Sequence, residues 1–259
     1  MRVGVAATAP LGADVLERLA ASYDIAFLLT RPDAPRGRGR KLARPPAKEA
    51  AERLGIPVHQ PERPELPGEV DRMVVCAYGL YIPPALLARS LWLNVHPSLL
   101  PRWRGAAPVE RAILAGDERT GVSIHETVEA LDAGPLAAQE DFAVGELDAG
   151  DVYEQAGEIA ARLLADVLEH PSFTPQAEDG ATYAEKITPA DREIDAADAL
   201  GAWRRVRALS PHIGAWMMLH GRRVTIWRAR LEDGRFVPEV VQPEGRGKMT
   251  YDDFARGAR

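Results

Sequence analysis

The chain has 259 residues, 46% hydrophobic and 27% charged, which is enough to bury one large core or two ordinary ones. Its formal net charge of -6 gives no global case for a nucleic-acid-coating surface. The single cysteine excludes an internal disulfide framework and suits a reducing cytoplasm, where the chain is expected to act.

The N-terminal Arg2-Val3-Gly4-Val5-Ala6 reads as a strand and not as a signal peptide. Val15, Leu16 and Leu19 mark a helix, Ile25 to Leu29 a second buried strand, and Ala47 to Leu54 another helix. Met73 to Ala77 is a third strand, in which Cys76 is expected as a buried structural thiol. Pro84 to Ala88 predicts a short helix and Leu93 to Val95 a fourth strand. This alternation predicts a mostly parallel sheet covered by helices, with its site outside the carboxyl ends of the strands.

Beyond Asp132, Leu136 to Phe142 predicts more strand, and Asp148 or Asp151 caps a long helix. Val152, Ala156, Ile159, Leu163, Val167 and Leu168 supply its apolar face. Pro171, Pro175 and Gly180 then mark a connection. From about Leu200 the pattern changes to a short helix (203–209), a Gly221-Arg222 turn and the strand Val224 to Trp227. The expected division is a catalytic domain over 1–172, a linker over 173–197 and a small β-rich domain over 198–259. No stretch approaches the ~20 apolar residues of a membrane span, so no membrane partner is expected.

Asn94 and His96 lie two apart in the run Leu93-Asn94-Val95-His96-Pro97, so a strand directs both to one side. Pro97 and Pro101 then impose a rigid loop. An amide beside an imidazole at a strand end can polarise a carbonyl. His59, His125, His170, His212 and His220 lie scattered and read as structural. No cysteine–histidine spacing matches a metal site, so no metal is expected.

The string Asn94-x-His96-Pro97-Ser98-Leu99-Leu100-Pro101, followed by Arg104-Gly105, resembles the central signature of the folate-dependent formyltransferases. Its continuation through Ala106-Ala107-Pro108, Gly116-Asp117, Thr120-Gly121-Val122 and Leu131-Asp132-Ala133-Gly134-Pro135 is similar to the methionyl-tRNA formyltransferases in particular. The resemblance runs from Arg31 to the last turn of the chain. It implies a Rossmann-like formyltransferase domain and a C-terminal barrel of OB type. Here Trp227-Arg228-Ala229 and Val241-Gln242-Pro243-Glu244-Gly245 look like the two ends of that barrel, with much of its middle missing. An abbreviated barrel is therefore expected.

The resemblance also implies the chemistry: formyl transfer from 10-formyltetrahydrofolate to the amino group of initiator methionyl-tRNA, for translation initiation, by a monomer. It makes Asn94, His96 and Asp132 the catalytic set. Acyl transfer to an amine needs oxyanion donors, a proton acceptor and a donor to the leaving nitrogen. Asn94 offers N–H groups, His96 a proton carrier, and Asp132 a carboxylate to fix the imidazole. Folate contacts are implied at Ser98, Leu99, Leu100 and Pro101, and at Tyr78, Gly79 and Leu80 in what looks like the pterin-pocket turn. The first loop, Ala6-Ala7-Thr8-Ala9-Pro10, departs from the family's more frequent Gly-Thr-Pro.

The segment Arg31-Pro32-Asp33-Ala34-Pro35-Arg36-Gly37-Arg38-Gly39-Arg40-Lys41-Leu42 resembles the loop these enzymes present to the tRNA acceptor end. Arg36, Arg38, Arg40 and Lys41 are the implied tRNA contacts. Guanidinium groups suit phosphates, and the glycines allow the loop to reorder on binding. A formyltransferase for a nucleotide-linked amino sugar is the alternative, because it shares the catalytic set without such a loop. A folate-binding protein without turnover is a third reading, against which the intact Asn94, His96 and Asp132 argue.

Overall fold

The structure is a computed structural model, which describes residues 1–36 and 41–257. The chain opens with β1 (Arg2–Ala7), α1 (Pro10–Ala20), β2 (Asp24–Leu29), β3 (Ala34–Arg36), β4 (Lys41–Ala43) and α2 (Pro46–Arg53). It continues through β5 (Val58–His59), β6 (Arg72–Cys76), α3 (Pro84–Leu87), β7 (Leu91–His96), β8 (Arg104–Gly105) and α4 (Pro108–Ala115). Next come β9 (Arg119–Glu126), β10 (Leu136–Ala143), α5 (Ala149–Glu169) and β11 (Tyr183–Ala184). A 3-10 turn (Ala190–Arg192), α6 (Ala199–Leu209), β12 (Ala215–Leu219), β13 (Arg222–Glu232), β14 (Arg235–Pro243), β15 (Met249–Thr250) and α7 (Tyr251–Arg256) follow.

Two compact units result. Residues 1–104, 121–141 and 154–182 form the first, and residues 105–120, 142–153 and 183–259 the second. The main sheet has the order β10-β9-β7-β6-β1-β2-β5. Its pairs from β5 to β7 are parallel, and β9 runs antiparallel to β7. Val3, Val5, Leu28, Leu29, Val74 and Leu93 are fully buried, as continuous apolar runs in a covered parallel sheet must be. Each such side chain contributes about 1.5–3 kcal/mol of burial free energy. Trp92 is 1% exposed, and its Nε1 donates to the Leu86 carbonyl at 3.2 Å. At Gly12 an added methyl would press on the Cys76 carbonyl and on Ala7, so glycine lets α1 start close against the strand ends.

The second unit holds the antiparallel sheet β12-β13-β14-β15. Both of its tight hairpins use two residues of positive φ, His220-Gly221 (49° and 71°) and Asp233-Gly234 (50° and 73°). Such turns match the right-handed twist of the strands they join. Asp198 caps α6 by accepting from the Gly201 N–H at 2.9 Å. The buried Arg207 of α6 donates to the carbonyls of Gly145 and Leu147 and stacks 4.2 Å over the Trp203 ring.

Candidate active site

The site gathers at the carboxyl end of β7. There β9 pairs antiparallel, with Asn94 opposite His125 and His96 opposite Ser123. Strand alternation sends Asn94 and His96 to one face, and the register puts His125 beside them. Asp132 arrives from the loop between β9 and β10. Its Oδ1 accepts from Asn94 Nδ2 at 3.2 Å, and its Oδ2 faces His96 Nδ1 at 3.7 Å. The tight return of that loop needs Gly134, where an added methyl would overlap the Glu126 carbonyl oxygen.

The partners fix the protons. His96 Nε2 lies 2.8 Å from the Trp103 carbonyl, which can only accept, so Nε2 carries the proton and Nδ1 turns its lone pair toward Asp132. His125 Nδ1 donates in the same way to the Glu126 carbonyl at 2.8 Å, leaving Nε2 to accept from Asn94 Nδ2 at 2.9 Å. Both N–H bonds of Asn94 are thereby committed, one to Asp132 and one to His125.

His96 is 4% exposed, and burial pushes its pKa down from the ordinary histidine value. The Asp132 charge and the Trp103 carbonyl oppose that shift, while His125 adds to it. A neutral imidazole with a lone pair beside a carboxylate can take one proton and hold it as a shielded imidazolium. Trp103 and Asp132 both have positive φ, 65° and 48°. Such backbone costs ~1–3 kcal/mol at a non-glycine residue and gathers at functional sites.

The loop after β7 is built from within. Ser123, fully buried, donates to the Ser98 carbonyl at 2.6 Å and accepts from the Leu100 N–H at 3.1 Å and from Gln139 at 2.8 Å. Ser98 Oγ donates to the Arg102 carbonyl at 2.7 Å. The side chains of Ser98 and Leu100 are consequently buried, while Leu99 and Pro101 remain half-exposed. In the other expected folate segment the Tyr78 ring is 2% exposed and packs in the core with Phe27 and Trp92. Burial pushes its phenol up to about 12. The Tyr78 carbonyl accepts from Thr8 Oγ1 at 2.8 Å. Ala77 and Gly79, with φ of 48° and 77°, form the turn that presents Gly79 and Leu80.

Of the basic segment, Arg36 and Lys41 pair across β3 and β4. Arg38 and Arg40 lie outside the described residues. The base of the segment is anchored by Asp33, which accepts from Lys48 Nζ and Gln60 Nε2, each at 2.8 Å. Those bonds hold its carboxyl below the ordinary range. Among the described residues, no group of three or more His, Cys, Asp or Glu side chains is placed to hold a metal ion. No described helix is long and apolar enough to cross a membrane.

With this geometry in hand, a family model described as formyl transferase matches residues 5–168, and one described as formyl transferase, C-terminal domain matches residues 186–239. The chain belongs to the formyl transferase family. A methionyl-tRNA formyltransferase of Cereibacter sphaeroides (strain ATCC 17025 / ATH 2.4.3) is 37% identical over 290 residues, covering 99% of this formyl transferase and 96% of the relative. The solved structure of methionyl-tRNA formyltransferase from Clostridium thermocellum superposes with a TM-score of 0.67 at 15% identity, over 95% of this chain and 100% of that one. HypX from Aquifex aeolicus, solved in complex with tetrahydrofolic acid, gives a TM-score of 0.70 at 18% identity, over 99% of this chain and 47% of that one. The last two likenesses establish the fold.

The structure of this formyl transferase thus brings Asn94, His96 and Asp132 together, as expected, and adds His125. His125, expected among the scattered histidines, lies against both Asn94 and Asp132. The signal was the alternation Val122-Ser123-Ile124-His125, apolar against polar, which marks a strand with Ser123 and His125 on one face.

Proposed function

We propose that this enzyme transfers the formyl group of 10-formyltetrahydrofolate to the amino group of initiator methionyl-tRNA, acting as a monomer in the cytoplasm. The observation that carries the reading is the meeting of Asn94, His96 and Asp132 at the carboxyl end of β7, in a chain similar over nearly its whole length to methionyl-tRNA formyltransferases. The family and its named relatives support the substrate pair. The single buried Cys76 supports a reducing compartment.

The formylfolate supplies an activated formyl carbonyl. The half-exposed Leu80, Leu99 and Pro101, with the backbone of Tyr78 and Gly79, would line its place; the buried Ser98 and Leu100 would hold the wall behind them. His96 Nδ1 takes the proton released by the attacking amine, Asp132 stabilises the imidazolium, and the same proton passes to the leaving folate nitrogen as its bond to the formyl carbon breaks. Asn94 sits between Asp132 and His125. On formyl entry it releases one N–H bond to the developing negative charge. Arg36, Arg38, Arg40 and Lys41 would meet the tRNA phosphates. The proposed division is a catalytic domain over 1–172, a connection over 173–197 and a small domain over 198–259; the family match over 5–168 supports the first, while the C-terminal match over 186–239 begins within the connection.

One experiment tests the substrate. The protein is offered 10-formyltetrahydrofolate with charged initiator tRNA in one reaction and with nucleotide-linked amino sugars in another. Formylation of the methionyl amine is expected. Formylation of the sugar amine alone would replace this reading with the amino-sugar one.

A further inference from the structure

The stretch that follows α5 reaches both strained loops of the site. Gln176 Nε2 donates to the Asp132 carbonyl at 2.9 Å and to the Gly134 carbonyl at 2.6 Å. Gln176 Oε1 accepts from Arg104 Nη2 at 2.9 Å and Nε at 3.2 Å. A carbonyl only accepts and a guanidinium only donates, so the amide has one possible orientation. Arg104 is 4% exposed and directly follows Trp103, whose carbonyl accepts the hydrogen bond from His96 Nε2. Six residues beyond Gln176, Thr182 accepts the Trp103 N–H through Oγ1 at 2.9 Å and the Arg104 N–H through its carbonyl at 2.9 Å.

We propose that Gln176, oriented by Arg104, is a positioning residue that sets the spacing between the His96 imidazole and the Asp132 carboxylate. Trp103 and Asp132 hold left-handed backbone that side chains disfavour, and such conformations persist only where surrounding bonds over-determine them. Gln176 supplies two of those bonds on the Asp132 side. Through Arg104 it is tied to the peptide that carries the acceptor for His96. Neither Gln176 nor Arg104 needs to touch substrate. The role rests on the reading of His96 and Asp132 as the proton-handling pair.

The test compares kcat and KM for Gln176→Leu, Gln176→Glu, Asp132→Asn and the two double variants, assayed for formyl transfer to methionyl-tRNA. Leucine removes every bond; glutamate keeps the shape and the Arg104 contact but sets an oxygen against the two carbonyls. Both Gln176 single variants are expected to lose kcat on the order of tenfold to a hundredfold, the scale of a sub-ångström to ångström misplacement. KM for 10-formyltetrahydrofolate should stay within about twofold, since uniform binding is untouched. In the Asp132→Asn background the same changes should cost almost nothing, because residues acting through one group are non-additive. An equal proportional loss in both backgrounds would show a general structural role and overturn the proposal. So would unchanged kcat in Gln176→Glu beside a strongly impaired Asp132→Asn, which would leave the His96–Asp132 reading intact. Near-normal turnover of Asp132→Asn would remove that reading and the proposal with it.

Discussion

Asn94 Nδ2 lies 2.9 Å from His125 Nε2, and the same two residues are register partners across β7 and β9. One backbone relationship thereby decides where an amide hydrogen of the site points. His125→Leu would leave that hydrogen without an acceptor at a position where the histidine is 1% exposed. An unsatisfied buried donor costs ~1–3 kcal/mol, so the Asn94 amide should turn or loosen. We expect kcat to fall about tenfold, with partial recovery in His125→Gln, whose Oε1 can accept. Single-turnover formylation measures both. Parent-level rates for the leucine variant would take His125 out of the site.

The pH dependence follows from His96. Burial holds its pKa below the ordinary histidine value, so the imidazole is neutral at neutral pH and, in the proposed role, free to accept a proton. Activity should therefore fall on the acid side, with an inflection in kcat/KM below ~6.5. The Asp132 charge raises the His96 value, so Asp132→Asn should carry the inflection of its residual activity to lower pH. A shift to higher pH would contradict the electrostatic pairing of the two groups.

The basic segment carries the tRNA prediction. Arg38→Ala should weaken formylation of methionyl-tRNA while binding of formylfolate, followed by fluorescence or calorimetry, stays near the parent. Removing one cation from a phosphate reduces the slope of log affinity against log salt by about 1. An unchanged salt slope would detach Arg38 from the phosphates.

Asp191 offers a stability test away from the site. Burial alone would raise its carboxyl, but hydrogen bonds from Arg111 and Thr188 overcome that and bring it to about 2. A folded-state value below the unfolded one adds stability above ~3.8, which is lost as pH falls toward 2. The shift is worth about 2 kcal/mol at neutral pH. Asp191→Asn should lower the denaturant-derived stability by roughly that amount at pH 7, and the difference should close near pH 2. A difference of the same size at both pH values would rule out the ionised pair as its source.

Much of this could be read from the residues. The apolar runs placed β1, β2, β6 and β7 within about two residues at each end, because a covered parallel strand has no polar face to confuse the pattern. Asn94 and His96 were legible as neighbours by alternation alone, whereas Asp132 was attached to them only through the resemblance, since a pairing across 36 or more residues leaves no periodic trace. His125 was missed together with β9, whose run of buried residues includes Ser123 and His125, satisfied by Ser98 and Asn94 elsewhere in the chain. The hairpin signal Asp233-Gly234 marks the long pairing of β13 and β14, which the apolar pattern alone does not reveal. Gln176 sits in a polar, proline-flanked stretch whose composition speaks only of a connection. Its bonds to Asp132 and Arg104 come from tertiary placement.

Ser123 has a consequence for anyone wishing to change the donor this enzyme accepts. Its hydroxyl spends one donor and two acceptor positions on the backbone of Ser98 and Leu100 and on Gln139. The wall beside His96 is thus laid down when the chain folds, and an incoming ligand spends little binding free energy on ordering it. Pre-organisation of this kind favours tight discrimination and resists remodelling. Variation at Ser98, Leu100 or Ser123 should cost folding before it alters selectivity, and libraries aimed at new formyl donors are better directed to the half-exposed Leu80 and Leu99.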